Sequence, residues 1–101
     1  DLIDAAMNLS ALLCEASRPA EAEAVVDPVL DAHPQVATLH FNRAVAIEDQ
    51  GRATEAIDGY RAALRRDPTL ADAHFNLARL YELSGDAQRA LRHLNAYRRL
   101  S

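Results

Sequence analysis

The sequence contains no lysine and no tryptophan, a single cysteine, and five aromatic residues in 101. Cys14, being alone, forms no intrachain disulfide and no cysteine-based zinc site, in keeping with a reducing, cytoplasmic setting. Eleven arginines against 15 acids leave a net charge of −4, so no general attraction to nucleic acid or to an anionic membrane is expected. Apolar runs fall well short of the roughly 20 residues a membrane span needs, and no basic-then-apolar signal peptide opens the chain. No paired nucleophile and base, phosphate-cradling loop or cofactor fingerprint stands out, so neither an enzyme nor a bound cofactor is expected. Sparse aromatics with abundant alanine favour closely packed helices over a sheet. The chain starts at Asp1 rather than methionine and enters its pattern almost at once, as a piece cut from a longer protein would.

What is present is a period. Asn8, Asn42 and Asn76 stand 34 residues apart, and residues 37–67 and 71–101 share 11 identities in 31 aligned pairs, among them His40/His74, Phe41/Phe75, Glu48/Glu82, Gly51/Gly85 and Ala56/Ala90. A unit of this length buries its apolar face only against its neighbours, so the array stacks into a solenoid. The breakers place first helices near 3–16, 37–50 and 71–84, and second helices near 19–32, 53–66 and 87–100. His33-Pro34 and Asp67-Pro68 end second helices, because a residue before proline avoids the helical region. Gly51 and Gly85 sit where first helices stop. Pro28 lies inside the helix 19–32 and lacks the amide that would bond the carbonyl of Ala24, which predicts a kink or break.

The small residues Ala44, Ala56 and Ala63, their counterparts Ala78 and Ala90, and Leu77, Ala78 and Tyr81 in an L-G-x-x-Y arrangement resemble the tetratricopeptide repeat over nearly the whole chain. The chain departs from that pattern at Ala6, His40 and His74, where the family carries tryptophan, and at Ser17, where it carries the turn glycine. The resemblance implies an all-α fold: a right-handed superhelical stack of three antiparallel helix pairs forming one domain over 1–101, with repeats 3–36, 37–70 and 71–101. It also implies that first helices line a concave side. Their inner stripe comprises Asp4, Met7, Asn8, Ala11, Cys14 and Glu15; Thr38, Phe41, Asn42, Val45, Glu48 and Asp49; and Asp72, Phe75, Asn76, Arg79, Glu82 and Leu83. Six acids there face one arginine, so the groove is expected to be acidic and to suit a basic protein or peptide.

The asparagine ladder offers donors and an acceptor to a peptide backbone without selecting its side chains; hydrogen bonding to a neighbouring helix or water is the equal alternative. Phe41 and Phe75 offer an apolar shelf, although aromatics at helical spacing more often pack. In the family's clamp for a C-terminal carboxylate, basic residues stand where this chain has Asp4 and Asp72, which would repel such a ligand. His40 and His74 lie one unit apart, but no third ligand accompanies them and no metal is expected. His33 and His93 show no partner. Leu91, Leu94, Tyr97 and Leu100 on the last helix are expected to stay partly uncovered and to support self-association as a homodimer. Arg89, Arg92, Arg98 and Arg99 read as a solvated face rather than a nucleic-acid site. The leading expectation is a protein- or peptide-binding scaffold using Asn8, Asn42, Asn76, Asp4, Asp72, Phe41, Phe75, Glu48, Arg79 and Glu82. The alternatives are a structural self-association element and a regulatory module. The latter follows from residues 74–100, which resemble repeats joined to bacterial MerR-like transcription regulators.

Overall fold

Glycine, proline and a single serine partition the chain into six helices. The computed structural model describes residues 1–101. The helices are α1 (Leu2–Glu15), α2 (Pro19–Ala32), α3 (Ala37–Asp49), α4 (Ala53–Arg66), α5 (Ala71–Leu83) and α6 (Ala87–Leu100). They form three antiparallel pairs, and the start of every helix falls within one residue of the position read from the caps and breakers.

The three first helices end in the same way. Gly51 N–H donates to Glu48 O at 2.9 Å and Arg52 N–H to Ile47 O at 3.3 Å, closing the helix with a left-handed residue. Gly85 and Asp86 repeat this after α5, and Ser17 and Arg18 after α1. Ser17 therefore takes φ 61° without the freedom of glycine, a conformation that costs an L residue about 1–2 kcal/mol.

The expected break at Pro28 does not occur, and α2 runs through it to Ala32. The turns on either side are pinned by packing: Val26, Val29 and Leu30 are buried in one cluster with Ala6 and Leu39. Burial of those side chains, each worth about 1.5–3 kcal/mol, offsets one missing backbone bond.

Two apolar seams join the units. The first contains Ala6, Val26, Val29, Leu30 and Leu39. In the second, α5 lays Ala73, Leu77, Leu80 and Tyr81 on Ala44, Ile47, Ala56 and Tyr60. Gly59 permits the close contact of α4 with α3, since a Cβ added there would lie 2.9 Å from that of Ala44. A polar clasp supports the first seam: Glu23 accepts hydrogen bonds from Gln50 and Arg52, both at 2.8 Å. The Arg52 bonds, foremost, hold the Glu23 carboxyl below the usual carboxylate range. Beyond the second seam, α6 packs on α5 through Phe75–Tyr97 and Tyr81–His93 ring contacts, with centroids 5.1 and 5.7 Å apart, yet buries none of its own residues.

Candidate functional site

The first helices place their inner stripe along one side of the stack, and a pocket of about 360 Å³ opens between α1 and α3. Its lining is Ala11, Cys14, Glu15, Phe41, Asn42, Val45 and Asp49, all on the stripe expected from sequence, together with Ser10. A second depression of about 310 Å³ continues toward α5, lined by Thr38, Phe41, Ala71 and Asp72 with the turn residues Thr69 and Leu70. Phe41 borders both. Phase in the helix explains this: residues three and four apart face the same way, and the small side chains Ser10 and Ala11 leave room above Phe41. Phe75, Arg79 and Glu82 lie elsewhere, in a pocket of about 490 Å³ shared with Ala87, Ala90, Leu91 and Leu94 at the far end of the stack. Asp4 and Asn8 are exposed on α1, outside these three pockets.

The three asparagines occupy the same register but different surroundings. Asn42 Nδ2 donates to Met7 O at 3.3 Å and makes a longer approach to Ser10 Oγ at 3.5 Å, crossing from α3 to α1. Asn76 Nδ2 donates to the Tyr60 hydroxyl at 3.2 Å, crossing from α5 to α4. The Asn8 side chain is exposed and makes no hydrogen bond to another helix. The amide nitrogens at 42 and 76 thus hold units together, while their oxygens accept no hydrogen bond within the chain and remain available to a donor.

Glu48 is likewise committed. One carboxylate oxygen accepts from the Tyr60 hydroxyl at 2.8 Å and the other pairs with Arg79. Burial first, then this contact with Glu48, pushes the Tyr60 phenol up, so it stays a neutral donor. The string Asn76–Tyr60–Glu48–Arg79 bridges α3, α4 and α5 and removes one acid and the single arginine from the groove's free charge. Asp4, Glu15, Asp49, Asp72 and Glu82 make no ion pair, whereas Arg43 and Arg52 are paired with Glu23, Asp27 and Glu55. The stripe therefore keeps five unpaired acids, and its single arginine is paired with Glu48. Beside it, burial and then Asp49 push the Cys14 thiol up, keeping it in the un-ionised form.

Tyr60 and Ser10 belong to the site's framework although neither stood out in the sequence. Ser10 was legible in part, since it occupies the small-residue position where the other units carry Ala44 and Ala78. Tyr60 had no such signal, because it reaches the groove from a second helix.

The histidines tie helices to turns. His40 Nε2 donates to Pro34 O at 2.7 Å, and His74 Nε2 to Pro68 O at 2.9 Å. That bond leaves His74 Nδ1 as an acceptor for His93 Nδ1–H at 3.0 Å, so His93, expected to lack a partner, has one. The pairing was hidden because 19 residues and a turn separate the rings.

Comparison with known proteins places this geometry. A family model described as tetratricopeptide repeat matches residues 8–71, and a second with the same description matches residues 49–100. Over 75 residues, 74% of this chain, the sequence is 41% identical to the TPR repeat-containing thioredoxin TTL4 of Arabidopsis thaliana, of which it spans 11%. Over 55 residues, 54% of this chain, it is 42% identical to the protein O-mannosyl-transferase TMTC1 of Homo sapiens, of which it spans 6%. The solved structure MamA MSR-1 C2 superposes with a TM-score of 0.82 at 28% identity, covering 97% of this chain and 56% of that one. MamA 41-end from Desulfovibrio magneticus RS-1 superposes at 0.87 with 20% identity, over 97% and 55% of the two chains, a likeness of fold. The chain thus spans a small fraction of the curated relatives and little over half of MamA.

Proposed function

The chain belongs to the tetratricopeptide repeat family, a protein-interaction scaffold, and we propose that it binds an extended, basic peptide segment of a partner along the groove from α1 to α5. The observation that carries this reading is the pocket between α1 and α3, where Glu15, Asp49, the Asn42 carboxamide and the Phe41–Val45 surface converge. The free Asn42 oxygen accepts a ligand N–H, the apolar surface takes a side-chain stem, and Glu15, Asp49 and Asp72 face arginine or lysine. Helices packed about 8–10 Å apart and an extended chain rising about 3.3 Å per residue put successive first helices at every third ligand residue. Asn8, Asn76, Phe75, Arg79 and Glu82 extend the surface, with Glu48 and Asn76 holding its shape. Binding, not catalysis, is the role assigned to these residues, and no cofactor or metal takes part. No helix is long and apolar enough to cross a membrane, and the proposed setting is the cytoplasm. The resemblance of residues 74–100 to regulator-borne repeats gives the same groove a second setting, sensing a partner for an attached domain.

Self-association is favoured separately by the uncovered last helix, on which Leu91 is exposed and nothing is buried.

Fluorescence anisotropy with a short alternating Arg–Ala peptide, and with its Glu–Ala counterpart, tests the groove. The basic peptide is expected to bind, to weaken with salt, and to lose about tenfold in affinity to the Glu15→Gln/Asp49→Asn variant. Equal binding of the acidic peptide, or no loss in the variant, would remove this assignment.

A further inference from the structure

Five of the 11 arginines pair with acids: Arg18, Arg43, Arg52, Arg79 and Arg89. Arg66 donates to the carbonyl oxygens of Pro34 and Ala62. The side chains of the remaining five make no ion pair and no hydrogen bond, and helical phase gathers four of them into one row. Arg61 and Arg65 stand one turn apart on α4 with Asp58 before them, and the 34-residue register puts Arg92, Asn95 and Arg99 of α6 in the matching places. All six side chains are exposed. The row lies on the side of α4 away from the buried Ala56, Tyr60 and Ala63, and Arg61 and Arg65 stay exposed with a further unit packed after them. Its openness is therefore a property of the second helices and not of the ends of the stack. The fifth arginine, Arg98, is off the row, since its register partner Leu64 packs toward the core.

We propose that this outer row is a second docking surface, and that its ligand is a run of consecutive acidic residues in a protein partner. Four guanidiniums share the row with one carboxylate, so a bound anionic chain relieves their mutual repulsion. Charge from both helices is felt between them: after burial and His74, Arg92 and Arg61 lower the basicity of His93. A guanidinium fork takes a carboxylate with two parallel hydrogen bonds. Each such pair in water contributes about 1 kcal/mol or less, so the surface holds a dense acidic run that engages several arginines together, and holds a short peptide of separated acids weakly. Nucleic acid fits poorly. The row carries no aromatic side chain on which a base could stack, and the same places on α2 hold Asp27 and Asp31, which would repel a phosphate track that continued past α4. The acidic stripe on the first helices and this basic row on the second let one molecule hold partners of opposite charge at the same time.

The test is fluorescence anisotropy with labelled oligoglutamate at low salt. The peptide is expected to bind, to weaken as salt rises, and to lose about tenfold in affinity to Arg61→Gln/Arg92→Gln. Both side chains are exposed and unbonded, so helix content by circular dichroism is expected to hold; Arg65→Gln/Arg99→Gln serves if it does not. Arg18→Gln/Arg89→Gln removes the same charge away from the row and is expected to bind as the wild type does, which separates the row from net charge. The groove variant Glu15→Gln/Asp49→Asn is expected to keep oligoglutamate binding, so this surface and the groove stand or fall separately. No binding at low salt, equal losses in the two arginine pairs, or tighter binding of an oligothymidylate of the same length would overturn the proposal.

Discussion

Helices α4 and α6 occupy the same place in successive units, each with 14 residues, and share Ala56/Ala90, Ala62/Ala96 and Arg65/Arg99. Their fates differ. Helix α4 buries Ala56, Tyr60 and Ala63, the first two in the seam with α5, whereas α6 buries nothing. The contrast shows that in a stacked array a helix's burial is decided by the next unit and not by its own pattern.

The sharpest way to break that comparison is to truncate both helices at matching positions. Tyr60→Ala removes a fully buried ring and the hydroxyl that links Asn76 to Glu48. Urea unfolding is expected to show a loss of about 3–5 kcal/mol. Leu94→Ala, at the matching but half-exposed site, is expected to lose about 1–2 kcal/mol. Similar losses would mean that α6 is covered in solution.

Asparagine replacements sharpen the same point within the groove. Asn42→Ala is expected to lower stability by about 1 kcal/mol, because its bond to Met7 O is made between units. Asn8→Ala is expected to stay within about 0.5 kcal/mol, having no such partner. Thermal unfolding of the two variants distinguishes a structural ladder from three equivalent ligand contacts.

Acid should loosen the last pair before the middle one. Burial, then His74, Arg92 and Arg61, depress the basicity of His93, so the unfolded chain takes up this proton more readily than the folded one. The stability involved is present above the ordinary histidine value of about 6.5 and is lost as pH falls through the lower folded value. Hydrogen exchange is expected to show α6 losing protection ahead of α4 as pH falls below about 6.5, and His93→Gln to reduce that difference. His40, also depressed, chiefly by burial, has Gly59 where His74 meets His93, so the middle pair lacks the histidine–histidine contact.

The smallest effect concerns the turns. Ser17→Gly is expected to stabilise by about 0.5 kcal/mol, relief of the left-handed strain being partly offset by glycine's greater freedom when unfolded. Calorimetric midpoints for this variant and the wild type measure it.

Local chemistry was legible in the sequence, and contacts between helices were legible only in part. Gly51, Gly85, Pro34 and Pro68 marked the helix ends because caps and prolines act on their own backbone. The stripe lining the first pocket followed from helical phase together with the resemblance, which put the first helices on the inner side. At Pro28 the local penalty was visible, and the packing of Val26, Val29 and Leu30 that carries α2 through it without a break was not. Asn8, Asn42 and Asn76 looked equivalent because register ignores what stands in front of each. Glu48 read as a free groove acid because its partners, Tyr60 and Arg79, arrive from other helices.

The most direct test of the groove is chemical-shift mapping by NMR as the alternating Arg–Ala peptide is titrated into the protein. The account predicts that the largest changes cluster at Ala11, Glu15, Asn42, Val45 and Asp49 on α1 and α3. Changes confined to α2, α4 or the α6 surface, with those groove residues unmoved, would contradict it.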